Sequence, residues 1–390
     1  MSNAMRPIIA DELIALCTDM VKESSISGTE KGVVEVVGRW MKQLGFDEVS
    51  TDKYGSVIGK IQGTGGGPTV VLDGHVDTVE VGDPSLWTHD PFGAEIVDGK
   101  MYGRGTSDMK GALSAMIYAA SRFTENRLSG DIYVTGTVHE EMFEGIALNH
   151  ILDRVPADYV VIGEASSLNL KIGQRGRAEI VVKTHGKSCH SANPQFGKNA
   201  VYLMQKALSD IAALKLPSDN HLGSGIMELT DIISEPYPGA SVVPSACMVT
   251  FDRRLIEGET AEQVVAQIRG AITSLTDDEC EVFISEGNAI CHTGVEISAK
   301  RFFPAWYYTE QTDFIQKVHQ GLHETGIPAQ FQTYSFCTNG SASAGLRGIP
   351  TLGFGPSAEN QAHVCDEYIE IAQLIQASKG YCAIVTSLMR

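Results

Sequence analysis

A chain of 390 residues with a formal net charge of −18 is too long for one comfortable hydrophobic core and too acidic for the usual nucleic-acid-binding surface. Hydrophobic residues make up 43% of the chain and charged residues 20%, as in ordinary globular proteins. We therefore expect two domains and no nucleic-acid partner. No apolar run approaches the roughly 20 residues that span a bilayer, so we expect no membrane partner either.

The opening segment indicates where the native chain starts, and the cysteines indicate whether disulfides are expected. The segment MSNAM resembles an expression remnant ahead of a native start at Met5, so we expect it to lie outside the fold. Eight cysteines are present, and none forms a Cys-x-x-Cys pair. In a chain of this length without a signal peptide, scattered cysteines predict reduced thiols and a cytoplasmic location.

The first part of the chain alternates between helical and strand patterns. Two helical segments are followed by a predicted hairpin around Tyr54 and Gly55. Strands then alternate with helices in the order TVVLDG, KGALSAMIYAASRF, DIYVTGTV, EGIALNHILDRV and DYVVIG. This alternation predicts an α/β domain whose mixed, largely parallel sheet has helices on both faces.

A different order of elements begins near Gln174. The patterns predict strand, helix, two strands, helix and strand, in the segments RAEIVVKTHG, KNAVYLMQKALSDIAAL, GIMELTDIIS, SACMVTFDRRL, TAEQVVAQIRGAITSL and CEVFIS. This βαββαβ order is the ferredoxin-like plan. We therefore predict a ferredoxin-like domain over 174–285, inserted into a first domain made of 5–173 and 286–390.

The glycine-rich segment GTGGGP at 63–68 resembles a phosphate-binding loop. A dinucleotide-binding loop follows a strand and opens a helix, whereas this segment precedes a strand. We interpret it as a turn, which disfavours a nucleotide-dependent oxidoreductase.

Candidate metal ligands lie at the ends of the predicted elements. Because the carboxyl ends of the strands in an open α/β sheet meet at one edge, we expect these side chains to converge there. Taken singly, each has a simpler interpretation, such as a buried core histidine, a helix N-cap or a solvated pair of glutamates. Together they favour a metal site, because adjacent buried carboxylates repel one another unless a cation neutralises them. The residues are His75, Asp108, Glu140, Glu141, Glu164 and His363.

The sequence resembles the zinc-dependent acetylornithine deacetylase, succinyl-diaminopimelate desuccinylase, carboxypeptidase G and aminoacylase family over nearly its whole length. The motifs follow the family's order: GHVDTV, GRGTSDMKGA, HEE, GEAS, HSANPQFGKNA, DRRLIEGET and AHVCDE. The later segments RFFPAWYY and CTNGSASAG are similar to a branch of hydrolases linked to selenium metabolism. The resemblance implies a dizinc catalytic domain and an inserted domain that serves as lid and dimerisation domain.

The resemblance also implies which residues hold the metals. Asp108 would bridge two zinc ions, with His75 and Glu164 completing one site and Glu141 and His363 the other. Imidazole and carboxylate ligands suit zinc, and cobalt or manganese are possible substitutes.

Three further residues have implied roles in the reaction. Asp77 would accept the free ring N–H of His75 and orient that ligand. Glu140 would be the general base for a metal-bridging water and would pass the proton to the leaving amine. His190 would stabilise the developing oxyanion from the partner subunit of a homodimer. Without the resemblance, the simpler interpretation of His190 is a histidine in a loop near a turn.

Substrate-binding residues are implied in the inserted domain and in a late loop. Arg254 would clamp a substrate carboxylate through a bidentate pair, with Arg253 as the alternative on the opposite strand face. Without the resemblance, the simpler interpretation of Arg254 is a surface cation on an edge strand. Asn339 and Gly340 are expected to contact the substrate, but Asn339 replaces a charged position of many relatives. Ser241 likewise replaces an asparagine that contacts substrate, so the side-chain preference of those relatives does not transfer.

The expected function is hydrolysis of an N-acyl amino acid or small peptide-like amide that carries a free carboxylate. A dipeptidase or carboxypeptidase with the same chemistry is the first alternative. A non-catalytic, metal-dependent binder of a carboxylated ligand is the second. A base without a metal, Glu140, argues against the binder, because binding alone does not need one.

Overall fold

The computed structural model describes residues 8–390. The segment MSNAM, for which we expect an expression remnant, lies outside the described residues. The chain divides into two compact units. The first takes in the chain up to Gln174, with Asn288–Ser298 and Tyr307–Arg390. The second consists of Arg175–Gly287 and Ala299–Trp306. Within 8–390, no helix combines the length and the apolar character needed to cross a membrane.

The bounds of the regular elements are as follows. The α-helices are α1 (Ala10–Val21), α2 (Lys31–Gln43), α3 (Lys110–Ser121), α4 (Ile146–Leu152), α5 (Ala200–Ile211), α6 (Ala261–Ala271), α7 (Asp313–Glu324) and α8 (Ile371–Leu388). The strands are β1 (Glu48–Thr51), β2 (Val57–Ile61), β3 (Val70–His75), β4 (Ile96–Val97), β5 (Lys100–Tyr102), β6 (Ile132–Thr137), β7 (Tyr159–Ile162), β8 (Leu170–Gln174), β9 (Gly176–His185), β10 (Ser218–Asp219), β11 (Gly223–Ser224), β12 (Ile226–Glu235), β13 (Ala246–Leu255), β14 (Cys280–Ile284), β15 (Glu286–Ile290), β16 (Glu296–Lys300), β17 (Phe302–Phe303), β18 (Trp306–Tyr307), β19 (Phe331–Tyr334), β20 (Thr351–Gly353) and β21 (Tyr368–Glu370).

The main sheet of the first unit is mixed, with a parallel centre. Its strands lie in the order β1-β2-β6-β3-β7-β20-β8. Strands β6, β3, β7 and β20 run parallel to their neighbours in this group, whereas β1, β2 and β6 pair antiparallel. The predicted hairpin around Tyr54 and Gly55 is the β1–β2 connection. The predicted fold class is confirmed.

Helices cover both faces of this sheet. Val70 and Leu72 of β3 pack in a core with α1, α2, α3 and α8. Val71, which points to the other face, packs in a second core with Leu148 and Ile151 of α4. Every residue of β3 is buried, as expected for a parallel strand covered on both faces. The first positions open to a ligand are therefore those at the end of the strand.

The second unit has the strand order of a ferredoxin-like domain. Its elements follow the predicted sequence β9, α5, β12, β13, α6 and β14. The sheet order is β12-β13-β9-β14, and all three of these pairings are antiparallel. The first and third strands of the βαββαβ order thus lie at the centre.

The second unit also includes a short segment that we predict, from the sequence, to belong to the first domain. We predicted that 286–390 returns entirely to the first domain, whereas Ala299–Trp306 belongs to the second unit. The reason is β17, where Phe302 and Phe303 pair with Ala178 and Arg177 of β9. A strand of two residues has no periodic pattern, so it could not be predicted from the sequence.

Candidate metal centre

Parallel strands bring the candidate ligands to one edge of the first unit's sheet. β3 ends at His75, which lies in register with Thr137, the last residue of β6. Glu140 and Glu141 follow on the loop after β6, and Glu164 follows β7. Because the three strands run in the same direction, their loops meet at one edge.

The two oxygens of Asp108 face two different imidazoles. His75 Nε2 lies 3.0 Å from Asp108 Oδ1, and His363 Nε2 lies 3.2 Å from Asp108 Oδ2. Each imidazole has a second carboxylate beside it. Glu164 Oε1 is 3.5 Å from His75 Nε2, and Glu141 Oε2 is 3.1 Å from His363 Nε2. Asp108 therefore lies between two sets of donor atoms.

The ring of His75 is oriented by the main chain of Asp77. Its Nδ1 lies 2.8 Å from the carbonyl oxygen of Asp77, while the Asp77 carboxylate is 3.6 Å away. The resemblance implies that the carboxylate accepts this N–H, whereas the carbonyl oxygen is the nearer acceptor in the structure. An Nδ1–H that donates to a carbonyl leaves the lone pair on Nε2, which faces Asp108 and Glu164.

The Asp77 carboxylate instead supports the turn that carries the glutamates. It accepts hydrogen bonds from the main-chain N–H groups of Glu140 at 3.0 Å and Glu141 at 3.2 Å, and from Ser27 Oγ at 2.7 Å. Glu30, which is fully buried, accepts from the N–H of His139 at 3.3 Å. Sequence patterns do not single out Ser27 or Glu30, because the segment SISGTE is typical of a turn ahead of a helix.

Glu140 is a carboxylate beside the donor cluster that has one oxygen without a hydrogen-bond partner in the described part of the chain. It is buried, and its Oε1 has no hydrogen-bond partner among residues 8–390. One oxygen of Glu140 lies within 4.8 Å of a ligand atom of His75 and of Glu164. Atoms of His75, Asp108 and Glu141 form a second group within the same distance. Glu140 therefore borders the donor set while one of its oxygens stays unengaged.

The pKa values of the clustered carboxylates and imidazoles are shifted because these groups are buried close to one another. Burial raises the pKa of Glu140 and of Glu164, and neighbouring carboxylates raise both further. Burial alone would raise the pKa of Asp108, but hydrogen bonds with His363 and His75 hold it below its ordinary value. Hydrogen bonds with Asp108 and Glu141 raise the pKa of His363 to about 10. Glu140 and Glu164 are therefore crowded by negative charge, whereas Asp108 is stabilised as a carboxylate between two imidazoles.

The donor set fits divalent metal ions. Tetrahedral zinc with bonds of about 2.0–2.2 Å places neighbouring ligand atoms roughly 3.3–3.6 Å apart. The nitrogen–oxygen separations across this cluster, 3.0–3.5 Å, lie close to that spacing. Two imidazoles, which lose their second proton when they bind a metal ion, and several carboxylates also supply the ligand types and the negative charge that such ions need.

The structure gives the Asn339 side chain a different role from the expected substrate contact. Asn339 is buried, and its Nδ2 donates to Asp73 at 2.8 Å and Thr137 at 2.9 Å. Its Oδ1 accepts from the N–H of Gly145 at 2.6 Å. The N–H of Gly340, also buried, donates to a neighbouring threonine. Because the amide of Asn339 is used within the protein, we correct its assignment to a residue that joins segments behind the site.

His190, Arg253 and Arg254 lie in the second unit. His190 is exposed and is not part of the donor cluster. The Arg254 side chain is 32% exposed, with its Nε 2.9 Å from Asp252. Arg253 is fully buried and paired with Glu259, so it belongs to the interior of that unit.

Comparison with known proteins places the chain in a family. Residues 71–387 match the family model "Peptidase family M20/M25/M40". An uncharacterised Escherichia coli protein, YgeY, is 34% identical over 378 residues, covering 95% of this chain and 92% of its own. Acetylornithine deacetylase of Vibrio vulnificus is 30% identical over 390 residues, covering 93% of this chain and 97% of its own.

Two solved structures share the fold at lower identity. Aminopeptidase PepT of Bacillus cereus aligns with a TM-score of 0.74 and 19% identity, over 98% of this chain and 100% of that one. YXEP of Bacillus subtilis, described as a dinuclear metal-binding peptidase of the M20 family, aligns with a TM-score of 0.69 and 13% identity, over 98% and 99%. The family match over 71–387 and the 34% identity to YgeY show that the chain is a hydrolase of peptidase family M20/M25/M40.

Proposed function

We propose that the protein is a two-zinc amide hydrolase that cleaves an N-acyl amino acid or a small peptide-like amide with a free carboxylate. The observation that carries this proposal is the placement of Asp108, whose two oxygens each face an imidazole. The similarity to acetylornithine deacetylase supports an N-acyl amino acid as the substrate class.

The donor atoms divide into two sets that share one carboxylate. His75 and Glu164 would hold one ion, and Glu141 and His363 the other, with Asp108 contacting both. When bound, such ions polarise an amide carbonyl and lower the pKa of water. Zinc suits these ligands best, and cobalt or manganese could replace it.

Glu140 would carry the proton in this reaction. Its free Oε1 would accept a proton from the attacking water as the oxygen adds to the amide carbon. The same proton would pass to the amide nitrogen as the carbon–nitrogen bond breaks, which releases a carboxylic acid and an amine. Its position beside the donor atoms, with one oxygen unengaged, suits a group that both accepts and returns a proton.

The proposal is tested by a panel of N-acyl amino acids and dipeptides incubated with zinc-loaded protein, with release of free amine as the readout. Preferential cleavage of N-acyl amino acids supports the deacylase. Preferential cleavage of dipeptides would favour the alternative, a dipeptidase or carboxypeptidase. Binding of these compounds without any amine release would favour the non-catalytic binder.

Arg254 is expected to recognise the substrate carboxylate. Arg254→Ala should reduce kcat/KM roughly 10- to 100-fold more on acids than on their amide-capped analogues, since hydrogen bonds to charged groups are worth about 1.5–3 kcal/mol. Arg254→Lys, the matched variant, should rescue poorly because an ammonium cannot form the two-pronged pair. Equal losses on capped and uncapped substrates would remove Arg254 from carboxylate recognition. Arg253 would not replace it, since that side chain is buried against Glu259.

An exposed edge strand supports the proposal of a homodimer. Strand β12 lies at the end of the second unit's sheet. Four of its apolar side chains are exposed: Ile226, Leu229, Ile232 and Ile233. Pairing with the same strand of a second copy about a two-fold axis would remove the open edge and cover this apolar surface.

Shared active sites are the expected consequence of that dimer. The exposed His190 would act in the active site of the partner subunit. Homodimers of Glu140→Gln and of His190→Ala should each be nearly inactive. Random pairing after co-expression makes half of the dimers mixed, and each has one intact site, so activity should recover to about a quarter of wild type. Mixed dimers confirmed by mass spectrometry but without activity would show that His190 does not act across subunits.

The free cysteine thiols support the proposal that the protein is located in a reducing compartment. All eight cysteines are free, and most of them are buried. Proteins that keep this many unpaired thiols are typical of the cytoplasm, which we propose as the enzyme's location.

A further inference from the structure

Glu367 is a buried carboxylate that is surrounded by donors from a single loop. Its Oε1 accepts from the main-chain N–H groups of Ser107 at 2.8 Å and Asp108 at 3.0 Å. Its Oε2 accepts from the N–H of Gly105 at 3.1 Å and from Arg104 Nη1 at 2.6 Å. The Glu367 side chain is fully buried. Each oxygen therefore meets two donors, and all four belong to the loop that ends at Asp108.

The strand pairing explains why Glu367 reaches this loop. β21 pairs antiparallel with β5, so the residue before β21 lies opposite the residue after β5. The N–H of Gly103 donates to the carbonyl oxygen of Glu367 at 2.9 Å. From that position the Glu367 side chain extends into the turn formed by 103–108. Main chain and side chain thus fix the same loop.

Glu367 also belongs to the segment that carries the other imidazole. His363 lies shortly before it on the loop between β20 and β21. One buried carboxylate therefore joins the segment that bears His363 to the loop that bears Asp108. These two ligands are 3.2 Å apart at their nearest atoms. Small shifts of either loop would change that distance directly.

We propose that Glu367 is a positioning residue, which sets the position of Asp108 relative to His363 and so tunes the affinity of the metal centre. The inference rests on the proposed two-metal site. Glutamine at this position would keep the size of the side chain but replace one oxygen with an NH2 group. In either orientation that group would face two donors, so two hydrogen bonds would become repulsive contacts.

Cobalt binding tests this inference without any substrate. Metal-depleted wild type and Glu367→Gln are titrated with Co²⁺ alone, with affinity measured by chelator competition and ligand geometry by visible absorption. Glu367→Gln should bind Co²⁺ about 10- to 100-fold more weakly, as is usual when a residue that supports a metal ligand is lost. Its visible spectrum should also change.

Asp52→Ala is the matched control for general destabilisation. Asp52 is another buried carboxylate, and its Oδ1 accepts three main-chain N–H groups, from Tyr54, Gly55 and Ser56. Its loop carries no proposed ligand. Asp52→Ala should lower the melting temperature and leave Co²⁺ affinity and the spectrum as in wild type.

The outcomes separate this inference from the proposed function. Wild-type affinity and spectrum in Glu367→Gln would overturn it, as would an equal loss of Co²⁺ affinity in Asp52→Ala. Should Glu367→Gln fail to fold, Arg104→Lys, which alters one of the four donors, is expected to weaken Co²⁺ binding in the same direction, and an unchanged affinity there overturns the inference. A wild-type protein that binds no Co²⁺ would instead contradict the metal centre itself.

Discussion

Replacing Glu140 by glutamine is expected to lower the rate of amide hydrolysis by roughly 10²- to 10⁴-fold, the usual contribution of a general base. The amide keeps the size of the side chain but has no carboxylate to accept the proton. Because Glu140 is not one of the proposed ligands, metal content should stay at the wild-type level. Turnover on an N-acyl amino acid and elemental analysis of the same sample measure both effects.

Replacing the neighbouring Glu141 by glutamine is the control that separates loss of the base from loss of a metal ligand. Glu141→Gln alters the next side chain, whose oxygen lies 3.1 Å from His363 Nε2. That variant should lose metal as well as activity, whereas Glu140→Gln should lose activity alone. Near-normal turnover of Glu140→Gln with intact metal would assign proton transfer to another group.

Removing the Asp108 side chain should have the largest effect on metal content. Asp108 is the carboxylate proposed to contact both ions, so Asp108→Ala should lose both. His363→Ala and His75→Ala each remove a ligand from only one set, and each should keep roughly one ion per chain. Elemental analysis after gel filtration in metal-free buffer measures the ratio.

Two outcomes would contradict this division of the ligands. Full metal content in Asp108→Ala would mean that the ions lie elsewhere. Loss of both ions in His363→Ala, with no loss in Asp108→Ala, would mean that the shared ligand is misassigned. Circular dichroism of each variant distinguishes metal loss from unfolding.

The fold could be predicted where periodicity was strong. The alternation of β3, α3, β6, α4 and β7 predicted an α/β sheet, and the βαββαβ order predicted the plan of the second unit. The segment Ser341–Leu346 could not be predicted, since it forms a π-helix and the residues SASAGL have no apolar period. Such a segment is set by its packing around buried Ala342 and Ser343, which local sequence does not report.

The candidate site could be predicted in part because strand direction constrains it. The residues at the carboxyl ends of parallel strands share an edge of the sheet, so strand direction alone predicts that His75 and Glu164 lie close together. Side-chain partners distant in sequence were not predictable in this way. Asn339 contacts Asp73 across 266 positions, and Glu367 contacts Asp108 across 259. No local pattern specifies such pairs, and only the folded chain brings them together.

The most direct test of the two-metal centre is anomalous diffraction at the zinc absorption edge from crystals of zinc-loaded protein. The account predicts two anomalous peaks per chain beside the Asp108 carboxylate. One peak should lie within bonding distance of His75 and Glu164, and the other within bonding distance of Glu141 and His363. A single peak at this site, or peaks that are not in contact with Asp108, would contradict it.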